Sequence, residues 1–398
     1  MIKYKTAGES HGRGFNVIIT GVPAGLGLKA SDIDSYLARR RAGYGRGMRV
    51  KSIEKDKVQI ISGIRWGETI GSPVSFFIEN KDWKNWGKVM SVDPSAKSEA
   101  VFMRRPRPGH ADLAGLIKYG RDDIRDVLER ASARETVARV AAGSVCLKLL
   151  DKLSIRIFSF TEDIAGIRAE AAKLNYAEIA SKAAASPLRC IDKKAEKKML
   201  RAIDEAAKKG DTLGGVFSVV VSGLPPGFGS YDEWENRLDG RLAKAVMAIP
   251  SVKGVEIGAG FGASSQPGSK VHDVICYGRK DLFYRKSNNA GGIEGGVSNG
   301  MPVVVRAALK PIPSLGKPLR TVDLKTKNAV SAPIVRGDVC VVPAAGVIGE
   351  SVVAVEIANA VMEKLGGDCM EDVLANYKTY LKRIAKFWAP PFLHPDKE

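Results

Sequence analysis

The stretch FNVIITGVPAGLG at residues 15–27 recurs in altered form as FSVVVSGLPPGFG at residues 217–229. Each copy reads as a β-strand of apolar residues that runs into a turn built from glycine and proline. A second pair follows in the same order, since residues 63–71 and 292–300 both begin and end with glycine and both lead into an apolar strand. Matching stretches in the same order indicate that the chain contains one folding unit twice.

A third pair sets ETVA at 135–138 against ESVV at 350–353, and each is predicted to open a helix rich in alanine and valine. Each unit reads as strand, helix, strands and long helix, which predicts an α+β fold with layered sheets and helices and pseudo-two-fold symmetry. The predicted halves cover about 1–165 and 212–366, and a terminal arm covers 367–398. The predicted strands are 15–20, 58–62, 73–78, 216–222, 302–308 and 338–342. The predicted long helices are 125–150, 192–209 and 350–366.

The composition predicts a cytoplasmic protein. Hydrophobic residues make up 44% of the chain, which is ordinary for a globular protein. No apolar run reaches the roughly 18 residues of a membrane span, and the N-terminus shows no secretory signal. The five cysteines are scattered and odd in number, so neither a disulfide framework nor a metal site is expected. The net charge of +18 suits nucleic acid, an anionic surface or a polyanionic small molecule.

Two of the four histidines lie in short polar motifs that contain glycine: GESHG at 8–12 and RPRPGHAD at 105–112. A packing histidine usually has apolar neighbours, whereas a histidine beside glycine, serine and carboxylate is accessible to a ligand and can exchange a proton. The alternative is that each motif is an ordinary turn with an incidental histidine. The arginines around both motifs favour the functional interpretation.

Arginines also cluster with glycine in RRRAGYGRGMR at 39–49, and a further group, ERASARET at 129–136, opens a predicted helix. Arginine forks match phosphate and carboxylate, and glycines let the backbone approach an anion. A nucleic-acid-binding loop and a solvated helix end remain alternatives for the first cluster. No aromatic stacking platform or helix-turn-helix accompanies it, which weakens the nucleic-acid alternative. Local ion pairing at a capped helix is the alternative for the second.

The loop NNAGGIEGGVSNG at 288–300 holds five glycines and suits a flat or phosphorylated ligand. It matches neither the Rossmann nor the Walker pattern, and the chain shows no metal-ligand spacing and no nucleophile elbow. The RGD sequence at 336–338 follows a predicted strand and adds one carboxylate. Together the motifs predict acid–base chemistry on a multiply anionic substrate beside a phosphorylated cofactor.

These motifs, in this order and with KPIPS at 310–314, resemble chorismate synthase from residue 6 to about residue 360. The resemblance implies a β-α-β sandwich and a homotetramer. It implies a lyase of the shikimate pathway that converts 5-enolpyruvylshikimate 3-phosphate to chorismate and phosphate by 1,4-anti elimination. The implied cofactor is reduced FMN, which lends an electron as phosphate leaves and recovers it, so the reaction has no net redox change.

The resemblance also implies roles for individual residues. His11 would protonate or stabilise the departing phosphate, and His110 would interact with the anionic reduced flavin. Asp338 would be the acid that helps the flavin N5 act as a base, and Ser10 and Ser132 would support these residues. The implied substrate ligands are Arg40, Arg46, Arg107 and Arg134. The implied flavin contacts are Arg130, Ala131, Ser132, Pro250, Ser251, Gly295, Lys310, Pro311, Ile312, Pro313, Ser314 and Arg336. Gly337 departs from the family, which commonly has His or Ser there, and a glycine leaves the position of Asp338 less restricted.

Two other functions are open to the sequence: a flavin-dependent oxidoreductase with net electron transfer, and a basic RNA-binding protein. The first predicts turnover with NAD(P)H that needs no enolpyruvylshikimate phosphate. The second predicts RNA affinity that depends on salt and not on His11. Members of the resembled family that reduce their own flavin with NADPH usually have longer chains. An external flavin reductase is therefore expected here, and neither nucleic acid nor membrane is expected as a partner.

Overall fold

The computed structural model describes residues 1–47, 56–170, 174–279, 282–334 and 337–389. Its strands are β1 (Lys3–Ala7), β2 (Gly14–Thr20), β3 (Val58–Ser62), β4 (Ile64–Arg65), β5 (Glu68–Thr69), β6 (Val74–Glu79), β7 (Arg156–Ile164), β8 (Ile167–Arg168), β9 (Gly215–Ser222), β10 (Val252–Ile257), β11 (Ile275–Gly278), β12 (Leu282–Arg285), β13 (Ile293–Glu294), β14 (Val297–Ser298), β15 (Val303–Leu309), β16 (Arg320–Val322) and β17 (Ala329–Ser331).

The α-helices are α1 (Ala30–Arg41), α2 (Trp83–Trp86), α3 (Asp112–Tyr119), α4 (Arg125–Ala131), α5 (Thr136–Lys152), α6 (Tyr176–Ala185), α7 (Lys193–Lys208), α8 (Leu238–Met247), α9 (Gly268–Val271), α10 (Val342–Leu365) and α11 (Met370–Ile384). Short 3₁₀ turns occur at Pro94–Ala96, Glu99–Val101, Ala133–Glu135, Trp234–Asn236 and Gly260–Ser265.

Two antiparallel sheets share one strand order. The first sheet runs β1-β2-β6-β3, and the second runs β8-β7-β9-β15-β10, so β7, β9, β15 and β10 repeat the order of β1, β2, β6 and β3. Phe15 and Phe217, which the sequence repeat matches, are both at most 1% exposed. Burying one such side chain contributes about 1.5–3 kcal/mol, so each half fixes its sheet through the same aromatic position.

The glycine turns repeat at the level of single hydrogen bonds. Gly25 has φ +80° and donates its N–H to the Thr69 carbonyl at 2.8 Å. Gly227 has φ +92° and donates to the Ser298 carbonyl, also at 2.8 Å. Left-handed backbone favours glycine, which explains why both copies of the turn carry it.

Helices fill the space between the two sheets, as a β-α-β sandwich requires. α5 packs on the first sheet, α10 packs on the second, and the two helices pack on each other. Their backbones meet at Gly143, where a Cβ atom would lie 2.4 Å from the Ser351 carbonyl oxygen. Helices that are apolar on all sides are typical of a protein core. The predicted α+β sandwich is confirmed.

Of the described residues, only α10 is long and apolar enough to cross a membrane, and 89% of its most apolar window is buried inside the protein. That burial makes it a core helix. The main-chain N–H of Ile2 donates to Asn359 Oδ1 on this helix at 2.7 Å, so the first strand is tied to the last part of the core.

Three element predictions need correction. Residues 338–342 form no strand, because α10 begins at Val342 with Pro343 in its first turn, where a missing N–H costs nothing. Glu350 therefore lies inside a helix and does not open one. The helix predicted at 125–150 is interrupted, since Ser132 adopts an extended conformation (φ −64°, ψ 138°) between α4 and a 3₁₀ turn.

The segment predicted as a terminal arm contains α11, which packs against the core through Met370, Val373 and Ile384. Residues 390–398 of that arm lie outside the described residues. The boundaries of the two halves stay a prediction, although the strand order and the turns correspond as described above.

Candidate functional site

His11 is fixed by a buried carboxylate on α4. Its main-chain N–H donates to Glu129 Oε2 at 2.7 Å, and its ring Nδ1 lies 2.8 Å from Glu129 Oε1. Glu129 is 2% exposed. Burial alone would raise the pKa of this carboxyl, but the hydrogen bonds from His11 and the charges of His11 and Arg125 hold the pKa below its usual value. An ionised Glu129 accepts a hydrogen bond from Nδ1–H, and Nε2 is then the other ring nitrogen that can exchange a proton.

The loop that carries His11 is held from two sides. Asn80, directly after β6, donates its amide to the carbonyls of Ser10 (3.3 Å) and Gly12 (2.8 Å). Arg130 donates to the Gly8 carbonyl at 3.1 Å from the other side. The His11 ring therefore sits on a backbone fixed by side chains far away in the sequence.

The extended residue Ser132 connects this loop to the arginines. Its hydroxyl donates to Ser10 Oγ at 3.2 Å and accepts the main-chain N–H of Arg134 at 3.3 Å. The interruption of the helix is what turns Ser132 toward Ser10. Ser10 and Ser132, both predicted to support the site, are therefore in contact.

Arg40 and Arg134 share one buried carboxylate, Asp56. Both terminal nitrogens of Arg134 donate to the Asp56 carboxylate, at 2.7 and 2.5 Å. Nη1 of Arg40 lies 3.7 Å from Asp56 Oδ2. All three side chains are less than 8% exposed. Burial would raise the pKa of Asp56, but the hydrogen bonds and charges of the arginines lower it. Asp56 therefore stays ionised and offsets part of the positive charge of this group.

Asp338 lies against the other end of the arginine loop. Its carboxylate accepts the Gly47 N–H at 2.6 Å and pairs with Arg46 at 3.0 Å. The Val339 N–H donates to the Gly45 carbonyl at 2.7 Å, which ties the two segments together. Arg46 and Asp338, predicted for the substrate and for acid–base work, are thus direct partners. Arg336, predicted to contact the flavin, lies outside the described residues.

His110 is also fixed by a carboxylate, at the start of α3. Its Nδ1 lies 2.5 Å from Asp112 Oδ1, and Asp112 is fully buried. Arg107 donates to the same carboxylate through Nε (2.9 Å) and Nη2 (3.1 Å). Burial would raise the pKa of Asp112, but the bonds from His110 and Arg107 hold it far below the usual range. Arg107 also reaches Ser314 Oγ at 3.4 Å with its remaining terminal nitrogen.

The KPIPS segment lies beside the His110 loop. The main-chain N–H of Lys310 donates to the Ser251 carbonyl at 3.0 Å, and its ammonium donates to the Gly109 carbonyl at 2.5 Å. These contacts bring most of the predicted flavin residues into one group: Ser251 with its neighbour Pro250, Lys310, Pro311, Ile312, Pro313 and Ser314.

Gly295 is separate from that group in the hydrogen bonding of the described residues. It is exposed at the tip of the β13–β14 hairpin, whose bonds go to Gly227, Phe228 and Leu238. A Cβ atom at Gly295 would meet nothing within 4 Å, so the backbone there is open to a ligand.

The two histidine motifs meet through their helices. A Cβ atom at Gly115 on α3 would lie 2.3 Å from Val127 on α4, and the Ile124 N–H donates to the Met103 carbonyl at 3.0 Å. Asp112 and Glu129, the partners of the two histidines, thus belong to two closely packed helices. The carboxylates that fix the two imidazoles therefore come from one pair of helices.

Two cavities have volumes of about 860 and 480 Å³. The larger is lined by residues of β1, α8 and α10 and contains no predicted site residue. The smaller borders the β13–β14 hairpin. The histidines, the arginines and Lys310 are the groups that suit an anionic substrate. The site is therefore identified by these side chains and not by cavity volume. Among the described residues, no cluster of three His, Cys, Asp or Glu side chains could hold a metal ion.

Sequence reasoning missed four residues that shape the site: Asp56, Trp86, Arg125 and Glu129. Glu129 lies inside a motif that was singled out, so its position was a usable signal. Trp86 stacks on His11 with ring centroids 3.9 Å apart, and Arg125 bonds Glu129 at 3.1 Å. No local pattern marks Asp56, Trp86 or Arg125.

Comparison with known proteins shows the family of this chain. The chorismate synthase family model matches residues 2–362. Chorismate synthase of Geobacter sulfurreducens is 51% identical over 394 residues, covering 97% of this chain and all of that protein. The Listeria monocytogenes enzyme is 51% identical over 370 residues, covering 92% and 95% of the two chains. A crystal structure of chorismate synthase superimposes with a TM-score of 0.79 at 40% identity, covering 97% of this chain and 99% of that one. The chain therefore belongs to the chorismate synthase family, the lyases that convert 5-enolpyruvylshikimate 3-phosphate to chorismate and phosphate.

Proposed function

We propose that this protein makes chorismate by a 1,4-anti elimination that needs reduced FMN. The substrate loses a proton from C6 and phosphate from C3, and a second ring double bond forms. The observation that carries the assignment to these residues is that two histidines are each fixed at Nδ1 by a buried carboxylate, beside a group of arginines. That arrangement suits proton transfer to and from an anionic substrate.

The residues fit a flavin mononucleotide chemically. Lys310 supplies an ammonium for an anion, and the prolines beside it offer apolar surface. Arg130, Ala131, Ser132, Pro250, Ser251, Gly295, Lys310 to Ser314 and Arg336 would hold it. When bound in its reduced form, the flavin supplies electron density reversibly to the breaking C–O bond.

His11 is proposed as the acid that serves the departing phosphate. The Glu129 carboxylate lies 2.8 Å from Nδ1, where it is a buried counter-ion for the imidazolium that an acid requires. The ring can then donate from Nε2 to a phosphate oxygen and stabilise the negative charge that develops there. The hydrogen bond from Ser132 to Ser10 holds the loop in position.

Four arginines are proposed to bind the substrate anions: Arg40, Arg46, Arg107 and Arg134. Each already has a carboxylate partner, namely Asp56 for Arg40 and Arg134, Asp338 for Arg46 and Asp112 for Arg107. A guanidinium is planar and rigid, so a carboxylate on one edge fixes the plane of the whole group. The carboxylates therefore orient the arginines before the substrate arrives.

His110 is proposed to interact with the anionic cofactor. Asp338 is proposed to be the acid–base partner of that cofactor. Asp112 sets the tautomer and orientation of His110 in the way that Glu129 does for His11. The protein is proposed to act in the cytoplasm as a homotetramer and to receive its reduced FMN from an external reductase. Neither nucleic acid nor membrane is proposed as a partner.

The test is anaerobic turnover of 5-enolpyruvylshikimate 3-phosphate with FMN reduced by dithionite, following chorismate absorbance and released phosphate together. Equal amounts of both products, and only with reduced flavin, are expected. Product formation with oxidised FMN would refute the cofactor requirement. Chorismate formed with NADPH and FMN alone would refute the need for an external reductase.

A further inference from the structure

The indole of Trp86 lies directly against the His11 imidazole. The ring centroids are 3.9 Å apart and the planes are inclined at 38°. Trp86 is the last residue of α2, and its Nε1–H donates to Asp82 Oδ2 at 2.9 Å. Asp82 is itself 9% exposed and also accepts the Asn85 amide at 2.8 Å, so the indole is held in place.

The charged groups on the elements packed around His11 have opposing effects. Glu129 brings a negative charge to the ring, 2.8 Å from Nδ1. Arg125 brings a positive charge to the same place, because it is bound to Glu129 at 3.1 Å and lies 5.0 Å from the Trp86 ring centroid. The other charged residues of the loop, of α2 with the two residues before it, and of α4 are Glu9, Arg13, Lys81, Asp82, Lys84, Asp126 and Arg130.

We propose that Trp86 is a positioning residue for His11, whose indole face stabilises the imidazolium and keeps the ring in the plane set by Glu129. An aromatic face attracts a cation, and the attraction strengthens when water is excluded; the His11 side chain is only 13% exposed. Trp86 then contacts the face of the His11 ring, and Glu129 contacts its edge at Nδ1. This inference rests on the proposed role of His11 as an acid.

The first experiment titrates the four histidines by NMR in full-length protein labelled with ¹³C-histidine, with His11 assigned from H11N. W86L and W86M remove the ring, and W86F keeps an aromatic face but loses the bond to Asp82. W83L is the matched control, since Trp83 lies on the same short helix and contacts Arg13 instead, at 5.6 Å.

The expected result is a His11 pKa lowered by roughly half a unit to one unit in W86L and W86M. The pKa should be nearly unchanged in W86F and W83L, and His110 should titrate as in the wild type in every variant. An unchanged His11 pKa in W86L and W86M would overturn the proposal. An equal shift in W83L would also overturn it, because the effect would then belong to α2 as a whole.

The second measurement is the pH profile of kcat. An acid works while protonated, so activity falls as the pH rises through its pKa. W86L should move that fall to lower pH by the same amount as the NMR shift, and W83L should not. If the NMR shift is found without any turnover in the wild type, the proposed function fails and the Trp86–His11 contact stands. A shifted NMR titration with an unmoved profile would overturn the role of Trp86 in the reaction.

Discussion

Replacing Glu129 by glutamine tests how the protein holds His11. The carboxylate accepts two hydrogen bonds from His11, one from the main chain at 2.7 Å and one from the ring at 2.8 Å. Glutamine offers a single acceptor oxygen, so one of the two donors must face an NH₂ group. A hydrogen bond to a charged partner is worth about 1.5–3 kcal/mol. At about 1.4 kcal/mol per tenfold change, E129Q should lower kcat roughly 10- to 150-fold.

The assay is the anaerobic elimination with reduced FMN supplied in excess, run at several pH values. Glu135 provides a matched control. It is 6% exposed and ends the 3₁₀ turn that follows α4. It pairs at 2.9 Å with Arg139, which is four residues away, and Glu129 likewise pairs with Arg125, also four residues away. E135Q removes a similar buried charge from a residue without a proposed role, so its kcat should match the wild type.

Two results would refute this reasoning. A kcat for E129Q within about twofold of the wild type would show that the carboxylate does not support the acid. An equal loss in E129Q and E135Q would show that the effect comes from the helical segment and not from the contact with His11. Thermal unfolding of both variants, measured alongside, keeps a folding defect from being read as lost chemistry.

The remaining predictions concern the other charged groups. H110A and H11A should each lower turnover roughly 10- to 10³-fold, and a wild-type rate in either would remove that histidine from the mechanism. D56N leaves two buried guanidinium groups without their anion, so the free energy of unfolding should fall by about 3–5 kcal/mol, measured by denaturant titration; an unchanged midpoint would contradict this. Because the pKa of Asp112 is lowered in the folded protein, its contribution to stability is full above the ordinary pKa of 3.8 and is lost as the pH falls below it. D112N should therefore lower the melting temperature at pH 7 and flatten its decline between pH 5 and 3, and parallel declines in the two proteins would count against the assignment.

Much of the fold could be predicted because its signals are local. The glycine turns at 21–25 and 223–227 require left-handed backbone, and the strands beside them are apolar, so both can be read from neighbouring residues. The interruption at Ser132 could not be predicted, because the flanking residues favour helix. The contacts of Ser132 with Ser10, 122 positions away, accompany the extended conformation there.

The candidate site divides in the same way. The histidine loops and the arginine cluster are recognisable from their composition, since glycine and charged residues are unusual together. Asp112 and Glu129 also lie inside recognisable motifs, and Asp112 is two residues from His110. The long-range pairings are not recognisable, because Glu129 lies 118 positions from His11 and Asp56 lies 78 positions from Arg134. A carboxylate becomes part of the site only when the packing of α3, α4 and the first sheet removes it from water.

The hydrogen bond between Ile2 and Asn359 has a consequence for synthesis on the ribosome. The two residues are 357 positions apart, and at 5–20 residues per second Asn359 is made roughly 20–70 s after Ile2. During that time α5 has no α10 to cover it, so the nascent first half exposes an apolar helix and an incomplete core. Chaperones that bind exposed apolar segments should therefore protect this chain until its last hundred residues are made, and slowing translation near the C-terminus should increase aggregation.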